Sequence, residues 1–193
     1  MSEPDTIKSI LRMFNYGLFV AASTSPDGPR AATVSWATQA SFEPKLIAVA
    51  MRKGTAICEA VQASQRFALH VVGAQQTDFA KAFFKAPLGA DGEMGGYRYG
   101  LSERGVPILG AAAAWLECEV VEEVNRSGDH AIFIASIVDG DVLVPGVEAL
   151  ALRDTPWHYG GCGTGRGTAA GGSDAPLADS PSISSSIPIR EAQ

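Results

Sequence analysis

Three short stretches carry residues that could do chemistry together. The first is "MRKGTA", in which Arg52 and Lys53 stand just before Thr55. An apolar, strand-like run ends at Met51, and a helix-like run follows Thr55. Helix N-termini present unpaired backbone N–H groups and the positive end of a dipole. Two cations and a hydroxyl beside such an end would hold a phosphate. The same residues also describe a solvated basic turn with Thr55 as an ordinary helix cap.

The second stretch is "TVSWATQ". Thr33, Ser35, Thr38 and Gln39 are neutral donors and acceptors placed around Trp36. They suit the edge of a heterocycle that takes hydrogen bonds without full charges. They equally suit an edge strand with its hydroxyls in water. The third stretch is "GDHAIFIASI", where Gly128 and Asp129 make a turn and His130 opens an apolar strand. A histidine there could touch a ligand or move a proton. It could also do no more than hydrogen-bond the backbone.

Other candidates are weaker. Trp157, His158 and Tyr159 cluster in "TPWHYGG", where they could cover a ligand or close the core. His70 in "FALHVV" reads as a satisfied polar residue within a sheet. The three cysteines, Cys58, Cys118 and Cys162, show no Cys-x-x-Cys spacing, and no second His or acidic pair gives ligand spacing, so no metal is expected. "GGCGTGRG" imitates a phosphate loop. It has Arg166 and Gly167 where that loop needs Lys and Ser or Thr, and no helix follows.

The whole chain bounds these readings. Its 193 residues carry a net charge of −6, so it has no general attraction for nucleic acid or anionic lipid. The N-terminus lacks a basic-then-apolar leader pattern, and the longest apolar stretch, "ILGAAAAWL", is too short to span a bilayer. A cytoplasmic protein is expected. Residues 1–160 are apolar-rich and patterned and read as one domain. Residues 161–193 are dominated by Gly, Ser, Ala and Pro and read as a flexible tail with little to bury.

Elements that must position the candidates follow from periodicity. "GLFVAAST" and "AATVSWAT" read as strands of a hairpin with a longer loop through Pro26, Asp27, Gly28 and Pro29. "KLIAVAM", "RFALHVV", "AWLECEVVEEV" and "HAIFIASIVDGDV" read as further strands, with Glu117, Glu119 and Glu122 facing water. "PDTIKSILRMF", "GTAICEAVQASQ" and "QQTDFAKAFFK" read as helices. The stretch "APLGADGEMGGYRYGLSERGVP" reads as a long Gly-rich loop. Many short strands and few helices predict a mainly β fold, a closed antiparallel barrel with peripheral helices.

These pieces in this order resemble the flavin reductase-like, FMN-binding split-barrel family, over about Leu11 to Asp141. The resemblance rests on "GLFVAAST", "ATVSWATQASFEPKLIAVAMRKGTA", "RFALHVVG", "PILGAAAAWLECEVV" and "GDHAIFIASIVDGDV". It implies an antiparallel, Greek-key split β-barrel with peripheral helices, paired as a homodimer with FMN near the interface and FAD as the alternative. Thr33, Val34, Ser35 and Trp36 would line the flavin ring, and Ala50 and Met51 would continue that wall. Arg52, Lys53 and Thr55 would hold the phosphate. Phe67 corresponds to the aromatic that opens the strand after the phosphate helix. Gly128, Asp129 and His130 match the family's Gly-Asp-His, whose His lies near flavin and nicotinamide. The activity implied is NAD(P)H-dependent flavin reduction by hydride transfer to the flavin N5, with His130 in the catalytic position. Reduced flavin would pass to an oxygenase or another acceptor. The alternative is an electron-transfer flavoprotein that holds FMN tightly without direct nicotinamide activity. His70 stands where many members of the family have Asn.

Overall fold

The computed structural model describes residues 3–124 and 127–157. His158, Tyr159, Cys162 and the segment 161–193 lie outside the described residues. Helix α1 (Glu3–Leu11) leads into β1 (Phe19–Ser25) and β2 (Gly28–Val34). These two strands pair out to Ser25 and Gly28, so Pro26 and Asp27 alone make the turn. The expected longer loop is therefore a tight hairpin. Gly28 makes this possible by adopting a φ of +122°, which L side chains rarely hold.

The next strands are β3 (Ala37–Ser41), β4 (Leu46–Arg52), β5 (Arg66–Val71), β9 (Ala114–Val124) and β10 (His130–Val142). Between them lie α2 (Ala56–Ser64), α3 (Thr77–Ala82) and the short strands β6 (Glu93–Met94), β7 (Tyr97–Leu101) and β8 (Pro107–Leu109). The long stretch expected as a loop before Pro107 thus folds into its own antiparallel sheet, in the order β6-β7-β8.

The main sheet has seven antiparallel strands in the order β2-β1-β5-β9-β10-β4-β3. The strand expected over Ala31–Thr38 is broken at Ser35 and Trp36, and its halves sit at opposite edges of this sheet. Laid flat, those edges would stand about 28 Å apart at ~4.7 Å per strand. Two intervening residues can carry the chain from Val34 to Ala37 over roughly 11 Å at most. The sheet must therefore coil until its edges nearly meet. No β2–β3 pairing is formed among the described residues, so the sheet is a curled open one and not the closed barrel expected.

Strand alternation sorts the side chains between two faces. Ala21, Val49, Met51, Phe67, Leu69, Cys118, Ala131, Phe133 and Ala135 are buried together with Ile57, Cys58 and Val61 of α2. A second cluster joins Val20, Ala22 and Ala31 to Phe79, Ala80 and Phe83 around α3, and to Met94 and Leu109 of the small sheet. His70 joins the elements of this second region. Its Nδ1–H donates to the Val20 carbonyl at 2.9 Å, and its Nε2 accepts the Leu109 N–H at 2.9 Å. Burial, only partly offset by the Val20 hydrogen bond, lowers its pKa from 6.5 to about 4, so the imidazole is neutral in the fold.

One surface expectation is overturned. Glu117 is wholly buried, because the segment between β7 and β8 covers it. Ser102 Oγ–H donates to its Oε1 at 3.0 Å, and the Arg104 guanidinium stands 3.7 Å from its Oε2. A buried carboxylate needs such partners, and they come from a segment that local alternation does not reveal. No helix among the described residues is long and apolar enough to cross a membrane.

Candidate functional site

The break in the first edge strand and the start of β10 build the site. Trp36 is tied to β4 by the Ala50 N–H, which donates to its carbonyl oxygen at 2.8 Å. Across β4, Ala50 pairs with Ile132, Met51 with Ala131 and Arg52 with His130. This register brings His130 to the indole of Trp36, with ring centroids 4.6 Å apart and tilted by 40°. Tyr16 extends the aromatic surface, its centroid 6.4 Å from that of Trp36. No local pattern marked Tyr16, because its neighbour comes from beyond the first hairpin.

His130 is oriented by the residue before it. Its Nδ1–H donates to Asp129 Oδ1 at 2.7 Å, which places the proton on that nitrogen because a carboxylate can only accept. This bond, with the neighbouring imidazole and the Arg52 guanidinium adding to it, holds the Asp129 carboxyl below its usual range. The Lys53 ammonium donates to the Gly128 carbonyl at 3.0 Å, and the Lys53 N–H donates to the Asp129 carbonyl at 3.0 Å.

Thr55 occupies the cap position of α2, but its hydroxyl donates backwards to the Arg52 carbonyl at 2.7 Å and does not cap the helix. The first-turn N–H groups are thus not taken by Thr55, and an anion could use them beside Arg52 and Lys53. Ser35 supplies a second polar group. Its Oγ is buried and has no hydrogen-bond partner among the described residues. Leaving such a hydroxyl unsatisfied costs about 1–3 kcal/mol, and a polar-edged ligand at the strand break would relieve it. A planar ring bearing hydrogen-bonding edges and a phosphate arm fits this donor set.

Several sequence candidates are placed differently. Thr33 Oγ1–H donates to the Ala80 carbonyl at 2.5 Å, and its N–H donates to the Phe83 carbonyl at 3.2 Å. Its donors therefore cap the end of α3 and are not offered to a ligand. Met51 and Phe67 are buried in the interior cluster, so the Met51 side chain does not share the face of Ala50. Val34 packs against that same cluster. Trp157 meets Phe84 edge-on at 4.7 Å, a packing contact. Among the described residues, no group of three His, Cys, Asp or Glu side chains could hold a metal ion.

A separate cavity of about 260 Å³ lies at the other end of α2, lined by Thr24, Ser64, Arg66, Arg104, Gly105 and Val106. Its guanidinium groups are already matched by carboxylates, Arg66 lying 3.1 Å and Arg104 3.9 Å from Glu119 Oε1. It contributes nothing to the arrangement around Trp36 and His130.

With this geometry in hand, comparison with known proteins is informative. A family model described as "Flavin reductase like domain" matches residues 11–155. A "Putative diflavin flavoprotein A 2" from Nostoc sp. is 31% identical over 154 residues, covering 79% of this chain but only 26% of that protein. The chain therefore spans a minor part of that relative's length. An "FMN reductase (NADH)" from Agrobacterium fabrum is 26% identical over 143 residues, covering 72% of this chain and 79% of that protein. Among solved structures, the styrene monooxygenase flavin reductase of Pseudomonas putida S12 superposes with a TM-score of 0.63 at 25% identity, covering 75% of this chain and 90% of that one.

Proposed function

The chain belongs to the flavin reductase-like domain family, and on that premise we propose that it is a flavin-binding oxidoreductase that uses NAD(P)H to reduce FMN, with FAD as the alternative flavin. The observation that carries this reading is the meeting of the Trp36 indole, the His130 imidazole and its cross-strand partner Arg52, at the head of the Arg52–Thr55 corner. The relative that is an FMN reductase using NADH supports it. Flavin, when bound, supplies the two-electron chemistry between nicotinamide and acceptor.

Each residue then has a physical task. Arg52, Lys53 and the first turn of α2 hold the phosphate through charge-assisted hydrogen bonds. The Ser35 hydroxyl hydrogen-bonds the ring edge, and the Ala50–Ile132 face supplies an apolar wall. His130, kept in one tautomer by Asp129, presents its imidazole beside Trp36 and orients the nicotinamide amide. Gly128 allows the turn its φ of +73°. Val34, Met51 and Phe67 support the wall from behind, and Thr33 anchors its strand to the end of α3.

The curled sheet supports a split barrel of Greek-key type, and a homodimer would complete it. Val121, Val124 and Ile132 are 58%, 46% and 41% exposed on β9 and β10, an apolar surface suited to a second copy. A cytoplasmic setting fits the supply of NAD(P)H. The oxygenase link of the styrene monooxygenase reductase supports passage of reduced flavin to an oxygenase or another electron acceptor.

The test is nicotinamide oxidation by the purified full chain, with and without added flavin. Oxidation that depends on flavin is expected. Failure of both NADH and NADPH to be oxidised in the presence of FMN and of FAD would remove the proposal.

A further inference from the structure

Lys53 belongs by sequence to the phosphate corner, yet its bonds grip the turn that carries His130. Its ammonium holds the Gly128 carbonyl at 3.0 Å and its backbone N–H holds the Asp129 carbonyl at 3.0 Å. These are the two peptide units immediately before His130. The turn needs such support, since Gly128, Asp129 and the residue before them are exposed and Gly128 has a positive φ of 73°. The Asp129 carboxylate then holds the imidazole at 2.7 Å, and Arg52 is the cross-strand partner of His130. A continuous path of bonds thus runs from the N-terminal side of α2 to the His130 ring.

We propose that Lys53 is a positioning residue, whose ammonium fixes the Gly128–Asp129 turn and thereby the His130 imidazole. One side chain then serves both the anion at the start of α2 and the imidazole that orients the nicotinamide. An ammonium carries three donors, so it can hold a carbonyl oxygen and an anion together. A phosphate-bearing flavin settles the ammonium between the two and stiffens the turn. FMN therefore improves nicotinamide binding as well as its own retention, relative to riboflavin. The identity of the ligands rests on the flavin reading; the clamp is a property of the chain alone.

The test uses the full chain with nitrogen-labelled histidine, comparing the parent protein with Lys53→Met and Lys53→Arg. A His130→Gln sample identifies the His130 ring signals among those of the three histidines. In the ligand-free protein, Lys53→Met shifts the His130 signals while leaving those of His70 in place, and Lys53→Arg restores most of the parent spectrum. At saturating FMN, Lys53→Met raises the nicotinamide KM about five-fold, the loss of one hydrogen bond. Unmoved His130 signals in Lys53→Met, with an unchanged nicotinamide KM, would overturn the proposal even if FMN binding weakened. Should the parent protein bind no flavin, the functional reading falls, and the ligand-free histidine signals still decide the clamp.

Discussion

The Trp36 indole lies against the His130 imidazole, their centroids 4.6 Å apart. Trp36 sits in the two-residue step between the sheet's edges, and His130 opens β10 beside β4. Their contact follows from the register of β4 with β10 and from the bond that ties Trp36 to Ala50. The ring pair therefore reports on both the fold and the site, and substitutions there separate shape from chemistry.

Replacing Trp36 by Phe retains a flat apolar surface, whereas Ala removes it. Trp36→Ala should weaken FMN about ten-fold, an amount set by the loss of one aromatic contact, and Trp36→Phe should lose much less. Quenching of flavin fluorescence on titration with each variant measures the difference. Equal affinities across the three proteins would place the flavin elsewhere.

Ser35→Ala should act with opposite signs on folding and binding. Removing a buried hydroxyl that lacks a partner leaves the ligand-free protein equally stable or more stable, by up to about 1 kcal/mol. The same change removes a bond to the flavin and lowers affinity about five-fold. Denaturant unfolding and flavin titration of one sample read both quantities. Clear destabilisation of the ligand-free protein would show that the hydroxyl has an internal partner.

Asp129→Asn should separate the two ligands. The carboxylate touches His130 and lies outside the phosphate corner's own donor set, so FMN affinity stays near the parent value while the nicotinamide KM rises. In the parent protein the His130 bond keeps the carboxyl ionised below its usual range. The pair therefore persists through mild acid and is lost only below the ordinary carboxylate range. Steady-state kinetics at fixed, saturating FMN is the check, and an unchanged KM would show that Asp129 does not act through His130.

His70 makes stability depend on pH in a defined direction. Its folded pKa of about 4 lies below the usual 6.5, so the unfolded chain binds the proton more readily. Its contribution is fully present above about 6.5 and is lost as pH falls toward 4, on the order of 3 kcal/mol in total. Denaturant unfolding at a series of pH values should show this slope, and His70→Gln should flatten it. A parent-like slope in that variant would assign the acid sensitivity to other groups.

Much of the fold was readable because apolar alternation survives wherever one strand face meets the core. Phe67, Leu69 and Val49 signal their strands in this way. The break at Ser35 and Trp36 was not readable, because each half of that segment looks extended by itself. Only the sheet order shows that the halves belong to opposite edges. Glu117 departs from its pattern for a related reason: its alternation is that of a water-facing residue, while Ser102 and Arg104 reach it from the segment that connects β7 to β8. Of the proposed site, the residue types in "MRKGTA" and "GDHAIF" suggest two halves. That Arg52 and His130 are cross-strand partners, and that Lys53 holds Gly128, are long-range consequences of the register between β4 and β10. Thr33 shows the opposite limit, since a hydroxyl that looks available in sequence is used by the carbonyls ending α3.

The most direct test of the central claim is an anaerobic titration of the FMN-loaded full chain with NADH and then NADPH, followed by absorbance. FMN is expected to bind with a perturbed spectrum, and at least one nicotinamide to bleach it stoichiometrically. A bound flavin that neither nicotinamide reduces, or a chain that binds no flavin at all, would contradict it.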